Sequence, residues 1–245
     1  MKIAFVIPAR YRSKRLPGKP LKKILGVPML SRTVSQCLKV IDKKDLFVLT
    51  DNQKIYSFCK SIKINCIVIN KKSLTGTDRV AHFANTNKSK NYSNFINIQG
   101  DEPIFNPVDL KKIIKSTQKN SRLIYGGYCK IKEKNDYINS SIPKVVVSKN
   151  EDLMYMSRAA IPSNKKKKFI QGYRQVCIYS FPKKSLKIFL SFKKKSFLEN
   201  LEDLELLRFV ENGIKVKMLK LSDQSISVDL PRDIKKVEKF LKRKK

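Results

Sequence analysis

The residues with the clearest chemical potential form a cationic loop directly after an apolar run near the N-terminus. Residues 3–7 are apolar and are closed by Pro8, which is typical of a buried strand. Residues 8–20 contain three prolines and a glycine, so they continue neither as a strand nor as a long helix. Because ligands bind at the carboxyl ends of strands in open α/β sheets, this loop predicts a polyphosphate site. Its polar members are Arg10, Arg12, Ser13, Lys14, Arg15 and Lys19.

Two aspartates lie near predicted strand ends, and the first of them is a candidate metal ligand. Asp101 follows an apolar run and Gly100, which leaves a hard oxygen ligand for nucleotide-bound Mg²⁺ at a strand end. The alternative interpretation is a structural aspartate in a Gly-Asp turn. Asp229 lies between an apolar strand end and a helix that starts near Pro231. A plain helix N-terminus explains Asp233 in that first turn, but it does not require Asp229.

A third polar segment covers residues 74–80. Here Thr77 is a candidate N-cap and Asp78 a first-turn acid, and the functional alternative is a small loop that places polar groups against a base. The sequence contains neither a P-loop motif nor Gly-x-Gly-x-x-Gly. The single histidine, His82, has no candidate nucleophile beside it, so we interpret it as a packed or surface residue.

Strand-like and helical patterns alternate through the first half of the chain. This alternation predicts an α/β fold with a mostly parallel, Rossmann-like sheet and helices on both faces. Pro107 suits the start of its helix, with Asn106 as the cap. The predicted strands cover residues 3–7, 46–50, 64–69 and 95–98, and the predicted helices cover residues 29–40, 52–61, 78–87 and 107–119.

The middle of the chain breaks this alternation. Its strand-like runs have no helices between them, which predicts a small antiparallel extension over about residues 123–182 that forms a dimer interface. No Gly/Ser linker divides the chain, so we predict a single domain over residues 1–245. The remaining predicted elements are strands over 123–130, 143–147, 170–181 and 215–219, a helix over 198–212 ending at Gly213, and a helix from Pro231.

The composition is strongly basic. Lys and Arg number 54 against 20 Asp and Glu, which gives a net charge of +34. This charge permits a nucleic-acid partner, but it is spread along the whole chain rather than gathered in a patch, which favours a compositional bias toward Lys. The five cysteines show no metal-binding spacing. No apolar run approaches the ~20 residues of a membrane span, and the N-terminus lacks a secretion-signal pattern, so we expect a cytoplasmic protein.

Several motifs occur along the chain in an order that is specific to one family. They read Ile-Pro-Ala-Arg-Tyr and Arg-Leu-Pro-Gly-Lys-Pro within residues 7–20, Gly-Thr-Asp-Arg at 76–79, Gln-Gly-Asp-Glu-Pro at 99–103, Ser-Arg-Ala-Ala-Ile-Pro at 157–162, Leu-Glu-Asp-Leu-Glu at 201–205 with Arg208, and Val-Asp-Leu-Pro-Arg-Asp at 228–233. Nearly the whole chain therefore resembles the 3-deoxy-manno-octulosonate cytidylyltransferase (CMP-Kdo synthetase) family.

This resemblance implies an enzyme that transfers CMP from CTP to the anomeric hydroxyl of an acidic sugar, releases pyrophosphate and serves lipopolysaccharide or surface polysaccharide synthesis. It also implies a homodimer and a catalytic group of Lys19, Asp101 and Asp229, in which the two aspartates hold Mg²⁺. The residues it places at CTP are Arg10, Ser13, Arg15, Lys19, Asp78, Arg79 and Gln99. Those it places at the sugar are Arg158, Gln175, Tyr179 and Glu205.

Two positions depart from the family pattern on the sugar side. Gln175 stands where the family usually has His, and Leu206 stands where it usually has Gln. A site built to bind hydroxyl groups rejects analogues that leave its polar groups unpaired, so such changes alter specificity. The acceptor is therefore Kdo, a modified Kdo or a sialic-type acid, and a nucleic-acid-binding protein on this fold is the alternative from another class.

Overall fold

The computed structural model describes residues 1–13 and 15–243; the loop cation Lys14 lies outside the described residues. The strands are β1 (Ile3–Ala9), β2 (Lys23–Ile24), β3 (Val27–Pro28), β4 (Leu46–Thr50), β5 (Asn65–Val68), β6 (Asn94–Ile98), β7 (Ile124–Lys130), β8 (Lys144–Val147), β9 (Leu153–Ser157), β10 (Tyr173–Pro182) and β11 (Val216–Lys220). The helices are α1 (Met29–Leu38), α2 (Gln53–Ser61), α3 (Gly76–Ala84), α4 (Pro107–Lys119), α5 (Lys134–Ile138), α6 (Lys183–Ser191), α7 (Phe197–Glu202), α8 (Leu207–Glu211) and α9 (Pro231–Arg243).

One mixed sheet organises the chain. Within the described residues it has nine strands, with the order β11-β7-β10-β6-β1-β4-β5, and β8 and β9 are attached beside β10. Strands β6, β1, β4 and β5 run parallel, whereas β10 is antiparallel to both β6 and β7. This arrangement confirms the predicted mostly parallel sheet with a small antiparallel part.

Helices cover both faces of the sheet, as predicted. Along β1, alternate side chains enter two different cores. Ala4 and Val6 pack in the core that contains residues of α3, α6 and α8. Phe5 and Ile7 pack in the core that contains residues of α1, α2 and α4. Burial on both faces explains why β1 is a continuous apolar run.

Strands β1, β4 and β6 end at one edge of the sheet, where the loops that leave them come close together. Gly100, just after β6, lies against the end of β1, because a Cβ placed on it would be 3.0 Å from the Pro8 carbonyl oxygen. Any larger side chain would push the two strand exits apart. This edge holds the cationic loop and Asp101.

In the second half of the chain, the structure differs from two of the predictions. The predicted helix over 198–212 is two short helices, α7 and α8, because Asp203 adopts a left-handed conformation with φ 53°. A single helix would place Leu201 on one apolar stripe with Leu204 and Leu207, but Leu201 is 70% exposed. The middle region also contains the short helix α5 and the unpredicted strand β9, so it is not helix-free. Every helix of the described residues is too short or too polar to cross a membrane.

Candidate active site

The two predicted metal ligands lie side by side although they come from distant parts of the chain. Asp101 follows β6 and Asp229 precedes α9. The Val228 N–H donates to the Asp101 carbonyl at 2.9 Å, which joins the two segments directly. The structure therefore brings both carboxylates to one place at the sheet edge.

Lys19 lies between these two carboxylates. Its Nζ donates to Asp101 Oδ2 at 2.7 Å, to Asp229 Oδ1 at 3.3 Å and to the Val228 carbonyl at 3.0 Å. Burial lowers the pKa of Lys19, but attraction first to Asp101 and then to Asp229 outweighs burial, so the pKa is raised. Arg15 adds a second cationic contact, from Nη2 to Asp229 Oδ1 at 3.0 Å.

This pair of carboxylates has the chemistry of a partial magnesium site. One oxygen of Asp101 and one of Asp229 converge on a single cation, the Lys19 ammonium. Mg²⁺ commonly takes one or two carboxylates from a protein and completes its octahedral shell with phosphate oxygens and water. Within residues 1–13 and 15–243, no cluster of three or more His, Cys, Asp or Glu residues is placed to hold a metal alone. The residues thus fit an ion that arrives with a triphosphate.

The cationic loop after β1 is held in a fixed shape next to these acids. The Gly18 N–H donates to the Tyr11 carbonyl at 3.0 Å, and the Leu16 side chain is buried. Ser13 Oγ accepts a hydrogen bond from the Leu16 N–H at 3.3 Å. The loop therefore closes on itself while its arginines remain open to an anionic ligand. These exposed residues are Arg10, Arg12 and Arg15.

Asp78 forms a capping box at the start of α3. Its Oδ2 accepts from the Thr75 N–H at 2.7 Å and the Thr75 hydroxyl at 2.8 Å. Thr75 is therefore the N-cap, and the prediction of Thr77 as N-cap is wrong because Thr77 lies inside the helix. Asp78 Oδ1 accepts from Arg208 Nη1 at 3.0 Å. Both oxygens of Asp78 are engaged by the protein, and its place near the cytidine stays a prediction.

Glu205 holds the same helix start from the opposite side. Its Oε1 accepts from the Gly76 N–H at 2.7 Å, and its Oε2 accepts from the N–H of Thr77 at 3.2 Å and from the Thr77 hydroxyl. Burial raises the pKa of Glu205, and these hydrogen bonds oppose that rise. Gln99 Oε1 lies 3.7 Å from the position that a Cβ on Gly76 would take. The predicted nucleotide residue Gln99 and the predicted sugar residue Glu205 therefore meet at α3.

Arg79 pairs with an acid that the sequence analysis missed. Its Nη2 donates to Asp51 Oδ2 at 2.9 Å, while its buried Nη1 has no hydrogen-bond partner among the described residues. A buried, unpaired N–H is costly, so this group is suited to a polar ligand atom. Asp51 directly follows β4, and an acid after a predicted strand was the signal that also marked Asp101.

Three backbone carbonyls orient the Arg158 guanidinium. Its Nε donates to the Glu202 carbonyl at 2.6 Å, its Nη1 to that of Ser140 at 3.1 Å and its Nη2 to that of Asp203 at 3.5 Å. Carbonyls do not neutralise the positive charge, and they use three of the five N–H donors. Arg158 therefore keeps both charge and donors for a carboxylate ligand.

Lys144 supports this arrangement from a fully buried position. Its Nζ donates to the carbonyls of Asn139 at 2.9 Å and Arg158 at 2.6 Å. Burial, and then the charge of Arg158, lower the pKa of Lys144 to about 8, against an opposing effect of Glu202. Lys144 is thus a buried cation whose charge state affects stability in the alkaline range.

We expect the free energy of unfolding to rise with pH between about 8 and 10.5 through Lys144. The unfolded chain, with the ordinary pKa of 10.5, binds more protons there than the folded chain does. Lys144→Met should abolish this contribution, which is on the order of 2 kcal/mol, in urea titrations at pH 7.5 and pH 10. Lys149→Met, at an exposed position, should preserve the pH dependence. Equal pH dependence in Lys144→Met and the unsubstituted chain would contradict this expectation.

Gln175 and Leu206, the two residues that depart from the family pattern on the sugar side, lie in different surroundings. Gln175 Nε2 donates to the Tyr179 hydroxyl, and both side chains are buried. Leu206 is fully buried in an apolar core, and its Cδ1 would lie 3.3 Å from a Cβ on Gly126. Gln175 and Tyr179 therefore retain polar atoms near the site, whereas Leu206 contributes only packing.

Glu102 is a second acid that the sequence analysis did not single out. It is buried directly after Asp101, and its Oε2 has no hydrogen-bond partner within residues 1–13 and 15–243. Burial, and then the charge of Asp101, raise the pKa of Glu102 to about 7, while Arg174 acts to lower it. Its position in the Gln-Gly-Asp-Glu-Pro motif was the available signal. Arg174, within a strand, offered none.

Comparison with known proteins identifies relatives over nearly the full length of the chain. A family model described as cytidylyltransferase matches residues 4–219. The 3-deoxy-manno-octulosonate cytidylyltransferase of Protochlamydia amoebophila is 34% identical, over 96% of this chain and 93% of that protein. The 8-amino-3,8-dideoxy-manno-octulosonate cytidylyltransferase of a Shewanella species is 30% identical, over 98% of this chain and 99% of that protein.

A solved structure extends the similarity to the backbone. It is a CMP:2-keto-3-deoxy-manno-octonic acid synthetase complexed with CTP, and it matches with a TM-score of 0.88 and 28% identity over the full length of both chains. The backbone thus agrees with that of a solved structure over the full length of both chains. On this evidence the chain belongs to the 3-deoxy-manno-octulosonate cytidylyltransferase family of nucleotidyltransferases.

Proposed function

We propose that this chain transfers CMP from CTP to the anomeric hydroxyl of Kdo and releases pyrophosphate. The observation that carries the proposal is the meeting of Asp101, Lys19 and Asp229 beside a cationic loop at the carboxyl edge of the parallel strands. The names of the relatives, and the CTP in the similar structure, support these substrates.

The proposed step is an in-line displacement at the α-phosphorus. The sugar hydroxyl oxygen forms a new bond to this phosphorus, the bond to the β-phosphate breaks, and pyrophosphate leaves with the electron pair while the hydroxyl proton passes to solvent. Positioning and charge neutralisation supply most of the catalysis in such reactions. Arg10, Arg15 and Lys19 bind the triphosphate oxygens and balance their charge.

Asp101 and Asp229 hold the magnesium ion in this proposal. When bound, Mg²⁺ neutralises charge on the α-phosphate and orients the attacking hydroxyl. The two carboxylates keep the triphosphate at the sheet edge through this ion. Lys19 then releases part of its contact with them and binds the phosphate tail as a point charge.

Arg158, Gln175, Tyr179 and Glu205 form the sugar side of the proposed site. Arg158 retains charge and N–H donors for the sugar carboxylate. The second candidate acceptor is the 8-amino analogue of Kdo, and the observation that favours it is the Shewanella relative of that name. Gln175, at the family's usual histidine position, is the residue at which we expect the two acceptors to be distinguished.

The setting of the reaction is also part of the proposal. We place it in the cytoplasm, where CTP is available, as a step toward lipopolysaccharide or another surface polysaccharide. We also propose a homodimer through the region of residues 123–182, which exposes apolar side chains such as Met154 (58%) and Ile170 (79%). Sedimentation equilibrium should give twice the mass of one chain, and the mass of a single chain would contradict the dimer.

A pyrophosphate-release assay tests the function. CTP, UTP and ATP are each combined with Kdo, 8-amino-Kdo and a sialic acid, with Mg²⁺ present or removed by EDTA. We expect release only with CTP and an octulosonic acid, loss of release with EDTA, and recovery on adding Mg²⁺. Absence of release from CTP with every acid would contradict the proposed function, and faster release with the amino sugar would select the second candidate.

A further inference from the structure

The segment that carries Asp229 has no regular secondary structure. Residues 221–230 connect β11 to α9 as an irregular stretch. The position of Asp229 therefore depends on the backbone hydrogen bond between Val228 and Asp101 and on side chains that bind this segment, because no strand or helix ladder fixes it. One such anchor is Asp109, whose carboxylate accepts from the Ser222 N–H at 2.9 Å and the Ser222 hydroxyl at 2.6 Å.

Arg174 provides a second anchor nearer to Asp229. Its Nη2 donates to the carbonyls of Asp223 at 3.0 Å and Ser225 at 3.1 Å. One nitrogen that binds carbonyls two residues apart fixes the path of the chain just before Asp229. Arg174 belongs to β10, whose next residue, Gln175, bonds to Tyr179 in the proposed sugar site.

We propose that Arg174 is a positioning residue for the magnesium site, because it fixes the path of the segment that places Asp229 beside Asp101. This inference rests on the proposed function. Arg174 acts as a positioning residue rather than a metal ligand, because its Nη2 binds backbone carbonyls of the connecting segment and a guanidinium does not coordinate a cation. Residues that orient metal ligands typically contribute 10- to 100-fold to metal affinity.

This role can be measured without turnover by titrating the protein with Mn²⁺ in the presence of CTP and the absence of sugar. The measured quantity is the relaxation rate of the water protons. Mn²⁺ shares the oxygen-ligand preference of Mg²⁺, and its enhancement rises when the ion binds with CTP to protein. We expect Arg174→Gln to weaken Mn²⁺ binding at least about tenfold. Arg174→Lys should weaken it about threefold, since lysine keeps the charge but lacks the guanidinium fork.

Lys132→Gln is the matched control. Lys132 pairs with the Asp223 carboxylate from a 73% exposed position, so its removal takes a cation from the same segment but leaves the Arg174 contacts in place. This variant should bind Mn²⁺ within twofold of the unsubstituted chain. The Mg²⁺ concentration that gives half-maximal activity should rise most in Arg174→Gln, less in Arg174→Lys and hardly at all in Lys132→Gln. The KM for CTP at saturating Mg²⁺ should be nearly unchanged in Arg174→Lys.

The outcomes separate this inference from the function on which it rests. Mn²⁺ binding within twofold of the unsubstituted chain in both Arg174 variants would overturn the positioning role. If Arg174→Gln does not fold, the same result in Arg174→Lys alone would overturn it. No enhancement in the unsubstituted chain with CTP would instead contradict the proposed magnesium site.

Discussion

Asp229→Asn is expected to lower kcat by roughly 10²- to 10³-fold while the fold stays intact, and Asp101→Asn should do the same. Removing one electrostatic contact to a developing transition-state charge typically costs this much. Asparagine is close to aspartate in size but loses the charge that Mg²⁺ requires. Both carboxylates lie within 3.3 Å of Lys19 Nζ, so each variant removes one of the two acids that converge on a cation.

Steady-state pyrophosphate release at saturating CTP and Kdo gives kcat, and circular dichroism checks the fold. Asp42→Asn is the matched control, because Asp42 is an exposed acid paired only with the surface residue Lys44 at 3.2 Å. It should retain full activity. Wild-type kcat in either Asp101→Asn or Asp229→Asn would remove that residue from the metal site.

Arg208→Met is expected to destabilise the fold by about 3–5 kcal/mol. The Arg208 guanidinium binds both oxygens of Glu199 at 2.5 and 2.7 Å and one oxygen of Asp78 at 3.0 Å, and its carbon lies 3.7 Å from the centre of the Phe189 ring. Glu199 and Asp78 are 0% and 5% exposed. The substitution therefore leaves two buried carboxylates without their cation.

Urea unfolding curves measure this loss. Arg122→Met, at an exposed position, should change the free energy of unfolding by less than about 0.5 kcal/mol. The double variant Arg208→Met, Glu199→Leu should recover part of the loss, since it removes one of the two stranded acids. A cost below about 1 kcal/mol for Arg208→Met would contradict a structural ion network here.

Elements whose ends are marked by residues close in sequence have the predicted bounds. Strand β4 covers residues 46–50 and α4 covers residues 107–119, both as predicted. In α4, the Asn106 side chain accepts from the Val108 N–H at 3.0 Å, and Pro107 starts the helix. Gly213, predicted after the last helical residues, has φ 71°, as a residue after a helix often does. These features depend on neighbouring residues alone, so spacing predicts them.

The break at Asp203 shows the opposite case. Hydrophobic spacing over residues 198–212 predicts one helix, but the carbonyls of Glu202 and Asp203 bind Arg158 instead of continuing a helical ladder. Arg158 comes from the end of β9, far away in sequence. A contact between remote segments outweighs local helical preference here, and no local pattern reports it.

For the candidate site, the residue types and their places at strand ends were sufficient to predict a cationic loop and the metal ligand Asp101, whereas Asp229 as its partner acid came from the family resemblance. Those places follow from alternation and chain breaks, which are local properties. The resemblance placed Asp78 at CTP and Glu205 at the sugar, but no local pattern indicated which protein groups bind these two acids. Only the tertiary structure decides that Asp78 and Glu205 bind the start of α3, while Asp101 and Asp229 converge on the Lys19 ammonium. The physical reason is that a carboxylate's hydrogen-bond partners come from segments that folding alone brings near.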